Sequence, residues 1–293
     1  MAGIFGFFDY TKPGPGVEKD APPKAPILMF FEILQRKFWN ILKINFMFNL
    51  FNIPAIIVGM FISFFIFGQI KIPGVANDES LLISDLLIRF LFTSILTCIP
   101  MITVGPAQAG FTYILRNYSR EEHAFVWSDF KDNALKNFKQ SMIISGINLV
   151  ITVLILLSIR AYLLIGGSNF LFTIGTTLMF ILFVIFAMMN LYIYPILVTF
   201  KLSVKQIYKN SLLFAVAKLL PNLGIVLLCI FIQLLTLGMI IPFNSLIGVL
   251  LYFLITVSFI GFITNFYAYP KLKKYMIREE EVEEETEEET EEE

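Results

Sequence analysis

Metal-ligating and nucleophilic residues are scarce in this chain. It holds two cysteines and one histidine in 293 residues, and only 15% of its residues are charged. Cys98 and Cys229 both lie inside apolar stretches, with no second cysteine nearby, so neither a disulfide framework nor a cysteine metal site is expected. A zinc protease of the His-Glu-x-x-His type is excluded, because His123 has no second histidine to pair with. Glycine-rich phosphate loops are missing too: Gly14 and Gly16 sit between prolines, and no helix signature follows them. No cleavable signal peptide is visible. The first long apolar run begins near Ile41, behind a polar, proline-rich stretch, and reads as a permanent span.

Apolar side chains are abundant, at 57% of the chain against roughly 45–50% in soluble domains. A helix of about twenty mostly apolar residues crosses a hydrocarbon core. Six such spans are expected, near 41–68, 82–104, 141–166, 170–198, 221–242 and 245–268. Nineteen of the 22 basic residues fall into alternate gaps, at Lys12–Lys43, Arg116–Lys139, Lys201–Lys218 and Lys271–Arg278. Only Lys71, Arg89 and Arg160 lie elsewhere. Positive charge marks the cytoplasmic side of a membrane. The pattern therefore predicts an all-α integral membrane protein of three hairpins, multi-pass in a bacterial cytoplasmic membrane, with both termini in the cytoplasm. The formal charge of −1 hides this asymmetry, since twelve glutamates crowd into residues 279–293. Three domains follow: a polar Pro/Gly-rich segment over 1–26, a membrane domain over 27–278 and a disordered acidic tail over 279–293. The positive body suits anionic lipid headgroups at the cytoplasmic face and, given the spans, not nucleic acid.

Segments 27–40, 125–140 and 203–218 mix aromatic with basic residues just before an outward span, and read as amphipathic interfacial helices. Each return span carries a proline near its inner end, at Pro106, Pro195 and Pro270. The expected organisation is thus a degenerate threefold repeat. The chain stays largely apolar from Leu81 to Leu115, a stretch of roughly 52 Å as one helix, which exceeds the hydrocarbon core. A break is therefore predicted over Pro100, Thr103, Gly105 and Pro106, either as a buried structural kink or as the wall of a cavity. Residues 107–118 are expected to run along or just below the inner interface.

Phe7-Phe8-Asp9-Tyr10-Thr11-Lys12-Pro13-Gly14-Pro15-Gly16-Val17, Ile102-Thr103-Val104-Gly105-Pro106-Ala107-Gln108-Ala109-Gly110 and Arg116-Asn117-Tyr118-Ser119-Arg120-Glu121-Glu122-His123 resemble the YesL family of bacterial integral membrane proteins. That family is grouped as domain of unknown function 624. The resemblance is strongest over the first 150 residues and extends to the remaining spans in layout. It implies an accessory role beside carbohydrate ABC importers or two-component sensor kinases, with no established activity and no cofactor. The glutamate tail departs from the family pattern.

Two charged groupings remain as candidate sites. Arg116, Arg120, Glu121, Glu122, His123, Trp127 and Asp129 crowd the longest inner loop, as a docking surface for an importer or kinase subunit or as a solvated loop anchored by Trp127. Glu121-Glu122 is similar to the paired glutamates of membrane CAAX-type proteases, but the arginine that follows in those enzymes is Val126 here. Asp85 and Arg89, spaced i, i+4, and Arg160 form a candidate charge site near the outer surface. No acid, lysine or histidine is expected at mid-depth. The sequence thus favours a non-enzymatic accessory or scaffold protein. The alternative is a small transporter or channel with a cavity near Pro100–Pro106.

Overall fold

A computed structural model describes residues 25–67, 79–166, 169–238 and 246–277. Every regular element among the described residues is helical. In order they are α1 (Pro26–Phe67), α2 (Glu79–Cys98), α3 (Gly105–Ser119), α4 (Val126–Lys136), α5 (Phe138–Gly166), α6 (Phe170–Thr199), α7 (Val204–Ala217), α8 (Leu219–Gly238), α9 (Leu246–Leu251) and α10 (Val257–Leu272). A π-helical turn, Tyr252–Thr256, joins α9 to α10, and a second, Lys273–Ile277, follows α10. The N-terminal motif, the acidic tail and the first outer loop lie outside the described residues.

Five helical stretches among the described residues are long and apolar enough to cross a membrane: Pro26–Ile66, Phe138–Ile165, Phe170–Thr199, Leu219–Thr236 and Gly248–Met276. α2 adds a shorter apolar stretch, Arg89–Cys98. These helices turn their apolar side chains outward: Phe170 is 74% exposed, Leu171 72% and Phe61 70%. Water does not tolerate so much contiguous apolar surface on a monomer, whereas lipid does. Amide side chains are buried within the apolar interior: Asn45, Asn49, Asn52, Asn148, Asn190, Asn222, Gln233 and Asn265. The chain is a multi-pass helical membrane protein.

One expected feature is corrected. The first interfacial segment, 27–40, is not a separate helix. It runs unbroken into the span as one helix of 42 residues, roughly 63 Å long. No proline or glycine interrupts the sequence between Pro26 and Pro54, so nothing ends the helix at the junction. The other two such segments are separate helices, divided from their spans at Asn137 and Lys218.

Residues 107–118 lie within the helix packing. They form most of α3, and nearly all of α3 is buried. It packs against α1, α4, α5, α6 and α10 and is the hub of the fold. Small residues permit this. A Cβ at Gly105 would lie 2.0 Å from the Ser141 carbonyl oxygen, and one at Gly110 would lie 2.5 Å from that of Phe130. Neither backbone has room to retreat.

Gly105→Ala should therefore cost about 3 kcal/mol or more, the upper range for overpacking. Gly146→Ala on α5, where a Cβ meets nothing within 4 Å, should leave stability unchanged or raise it by up to about 1 kcal/mol, the helix preference of alanine. Unfolding of both variants in detergent measures the contrast.

Candidate functional site

The break between α2 and α3 spans residues 99–104, and side chains from other helices satisfy its backbone. Asn52 of α1 accepts the Val104 N–H at 2.7 Å. Asn148 of α5 donates to the Pro100 carbonyl at 3.1 Å and to Asn190 Oδ1 at 2.8 Å. Tyr208 of α7 donates in turn to Asn148 Oδ1 at 2.6 Å. Pro106 occupies the first turn of α3, where its missing N–H costs nothing.

The same device recurs at the other irregular points. Asn45 donates to the Tyr252 and Phe253 carbonyls at 3.0 and 2.6 Å and accepts the Ser258 N–H at 2.7 Å, clamping the π-turn. Asn222 of α8 donates to the Phe214 and Ala215 carbonyls in the last turn of α7, at 2.8 and 3.1 Å. Its oxygen accepts from Tyr192 of α6 at 2.6 Å and Tyr267 of α10 at 2.7 Å. All four hydrogen-bonding positions of that amide are filled.

Tyr192 and Tyr267 occupy matching places in a repeated motif: Asn190-Leu191-Tyr192-Ile193-Tyr194-Pro195 and Asn265-Phe266-Tyr267-Ala268-Tyr269-Pro270 share Asn, both Tyr and Pro. The two asparagines behave alike, donating to the carbonyl four residues back, Phe186 and Gly261, at 2.8 Å each. These residues were missed in the sequence, although aligning the six positions that end at each return-helix proline would have found them. The first copy reads Met101-Ile102-Thr103-Val104-Gly105-Pro106, without the asparagine, and that copy is the one that breaks.

Where the three return helices meet, a cavity of about 20 Å³ is lined by Thr97, Pro100, Gln108, Asn190, Tyr194 and Asn265, among others. It has room for about one water. Asn265 Oδ1 is buried there without a partner among the described residues. Thr103 lines a different space, an open apolar crevice of about 290 Å³ between Pro54 of α1 and Gly146 of α5. The four break residues therefore do not line one chamber.

The loop residues also separate. Arg116 is only 7% exposed and is not available to a partner. Its guanidinium donates to the Val198 carbonyl at 2.7 Å, to Thr199 Oγ1 at 3.2 Å, and twice to Asn117 Oδ1 at 2.8 and 3.2 Å. It lies over the Tyr113 ring, 4.6 Å from the centroid. In effect it caps the C-terminus of α6, where carbonyls lack helical partners. Burial, reinforced by Arg120, lowers its pKa, opposed by Tyr113, Glu122 and Tyr269. The guanidinium nevertheless keeps its charge.

Arg120 pairs with Glu122 at 2.7 Å and lies over Tyr269. Glu121 pairs with Arg36 of α1 at 2.8 Å. It holds a left-handed φ of 61° as α3 terminates, with Glu121 N–H bonded to the Tyr118 carbonyl and Glu122 N–H to that of Asn117. That geometry normally takes glycine and costs a side-chain-bearing residue about 1 kcal/mol. Asp129 accepts the Phe125 N–H at 2.8 Å and fixes the start of α4. Beside it His123 packs edge-on against Phe125, and both are exposed with Trp127. Arg89 and Arg160 converge on the last turn of α1. They donate to the Phe64 and Phe65 carbonyls and lie over the same two rings. The side chain of Asp85 lies outside the described residues.

Replacing Asn148 with Ala should cost about 1–3 kcal/mol by removing the donor to the Pro100 carbonyl and Asn190 Oδ1. Tyr208→Phe, which removes one hydroxyl, should cost about 0.6 kcal/mol, the usual value for such bonds between membrane helices. Chemical unfolding in detergent measures both.

No curated protein and no solved structure matches the chain. Residues 85–159 match the model of the family described as "Protein of unknown function, DUF624". The matched stretch runs from within α2 through the break, α3 and α4 into α5, and so takes in the hub helix and Asn148. Over this segment the chain is similar to the DUF624 family.

Proposed function

We propose that this protein is a six-span, non-enzymatic accessory subunit of a bacterial cytoplasmic membrane, with both termini in the cytoplasm, that docks a partner on its basic face. α2, at 20 residues or roughly 30 Å, is long enough to be the sixth span. The alternation of basic gaps supports the orientation and the three hairpins.

The observation that carries the reading is the sealed interior. Helix breaks in transporters ordinarily border a solute site, but here Asn52 and Asn148, the latter held by Tyr208, satisfy the backbone of the break, the enclosed cavity beside Pro100 has space for one water, and the crevice at Thr103 is apolar. By contrast, the start of α4 presents its large groups outward: Phe125 is 68% exposed and Trp127 59%, beside His123. Exposed aromatics on a fixed backbone are the kind of anchor that interfaces use. Family resemblance directs the choice of partner to a carbohydrate-importer or sensor-kinase subunit. Lysines of α4 and α7 meet anionic headgroups around that contact.

Purification of the tagged full chain in mild detergent should retain a stoichiometric importer or kinase subunit. Substituting both Phe125 and Trp127 with Ala should weaken capture about tenfold or more, at least the 1.4 kcal/mol scale of one hot-spot contact, without lowering thermal stability. Isolation of the chain alone, together with solute flux in reconstituted vesicles, would favour the transporter alternative.

A further inference from the structure

A second feature lies away from the α4 ledge. A cleft of about 530 Å³ opens between the end of α4 and the end of α6, lined by Tyr113, Asp132, Lys136, Gln140, Thr199 and Lys201, among others. This is the size of ligand pockets in general.

Its charge is unbalanced. α4 and α6 end at the cleft, while α5 and α7 begin beside it, so the partial charges of the helix ends largely cancel. The formal charges remain. Lys136 and Lys201 line the space, and Arg116 stands directly behind its wall, seated on Tyr113, Val198 and Thr199, all three of which line the cleft. Arg116 has only neutral hydrogen-bond partners, and Glu122, the acid whose charge reaches it, is already bound to Arg120. The one lining carboxylate, Asp132, accepts from Ser128 at 3.3 Å. Three cations against one carboxylate leave two positive charges around a polar space. A buried guanidinium without a counter-anion is costly, and an anion at the wall relieves that cost.

We infer that this cleft binds a phosphate ester, with Lys136 and Lys201 contacting the phosphate and Arg116 supplying field from behind. The ester could be a lipid headgroup or a soluble phosphate, and the chemistry of recognition is the same for both. The inference does not depend on the docking reading, since no residue of that ledge lines the cleft.

The test uses the full chain in neutral detergent and follows thermal stabilisation by dioctanoyl phosphatidylglycerol, glycerol 1-phosphate and dioctanoylglycerol. Saturable stabilisation by either phosphate compound, and not by dioctanoylglycerol, is expected. Preference for the phosphatidylglycerol identifies a lipid headgroup, and equal response to glycerol phosphate identifies a soluble ester. The doubly substituted Lys136→Gln, Lys201→Gln chain should bind about tenfold or more weakly while melting as the parent does without ligand. Asp132→Asn, which removes the opposing charge, should bind severalfold more tightly. If stabilisation does not saturate, or if the double substitution and Asp132→Asn both leave affinity unchanged, the proposal is overturned.

Discussion

Inside hydrocarbon, a backbone N–H or C=O released from a helix has no water to turn to. This chain releases several, at the break over residues 99–104, at the π-turn Tyr252–Thr256 and where α7 gives way to α8. At each place a buried asparagine from another helix takes over the lost bonds: Asn52 and Asn148 at the break, Asn45 at the π-turn, Asn222 at the joint. Such bonds are worth little singly, about 0.6 kcal/mol on average. Their weight comes from the alternative, a stranded polar group in an apolar medium. Irregular backbone and amide side chain therefore come as pairs, and the pairs fix how the helices are placed around one another.

The hub helix follows from the same constraint. α3 starts where the break ends, and the Asn52 contact to Val104 ties that start to α1. Gly105 and Gly110 then bring α3 against the backbones of α5 and α4. At its far end Arg116 holds the Val198 carbonyl and the Thr199 hydroxyl at the end of α6, while the ion pair between Glu121 and Arg36 returns the chain to α1. A helix gripped at both ends and buried along its length does not slide. This rigidity presents the α4 ledge and frames the neighbouring cleft, which links the interior network to the two surfaces where we place function.

Much of this was legible in the sequence, for local reasons. Apolar runs gave the long spans, the Pro100–Pro106 cluster gave the break, and mixed aromatic and basic segments gave α4 and α7. What escaped was decided at long range. The π-turn sequence Tyr252-Phe253-Leu254-Ile255-Thr256 contains no breaker, and its clamp, Asn45, is 207 residues from Tyr252. Arg116 read as an exposed loop charge because its partner Val198 lies 82 residues away. The burial of α3 depends on glycines whose value appears only when another backbone lies against them. For α1 the misreading was local: aromatic and basic composition suggested a separate helix, but nothing there breaks the backbone.

The central claim is that buried asparagines hold the break closed, and hydrogen exchange of the full chain in lipid nanodiscs tests it most directly. The account predicts that the Val104 amide exchanges as slowly as the amides inside α3, and that Asn52→Ala accelerates it about tenfold or more while α8 is unchanged. Rapid exchange of Val104 in the parent chain, or no change on substituting Asn52, would contradict it.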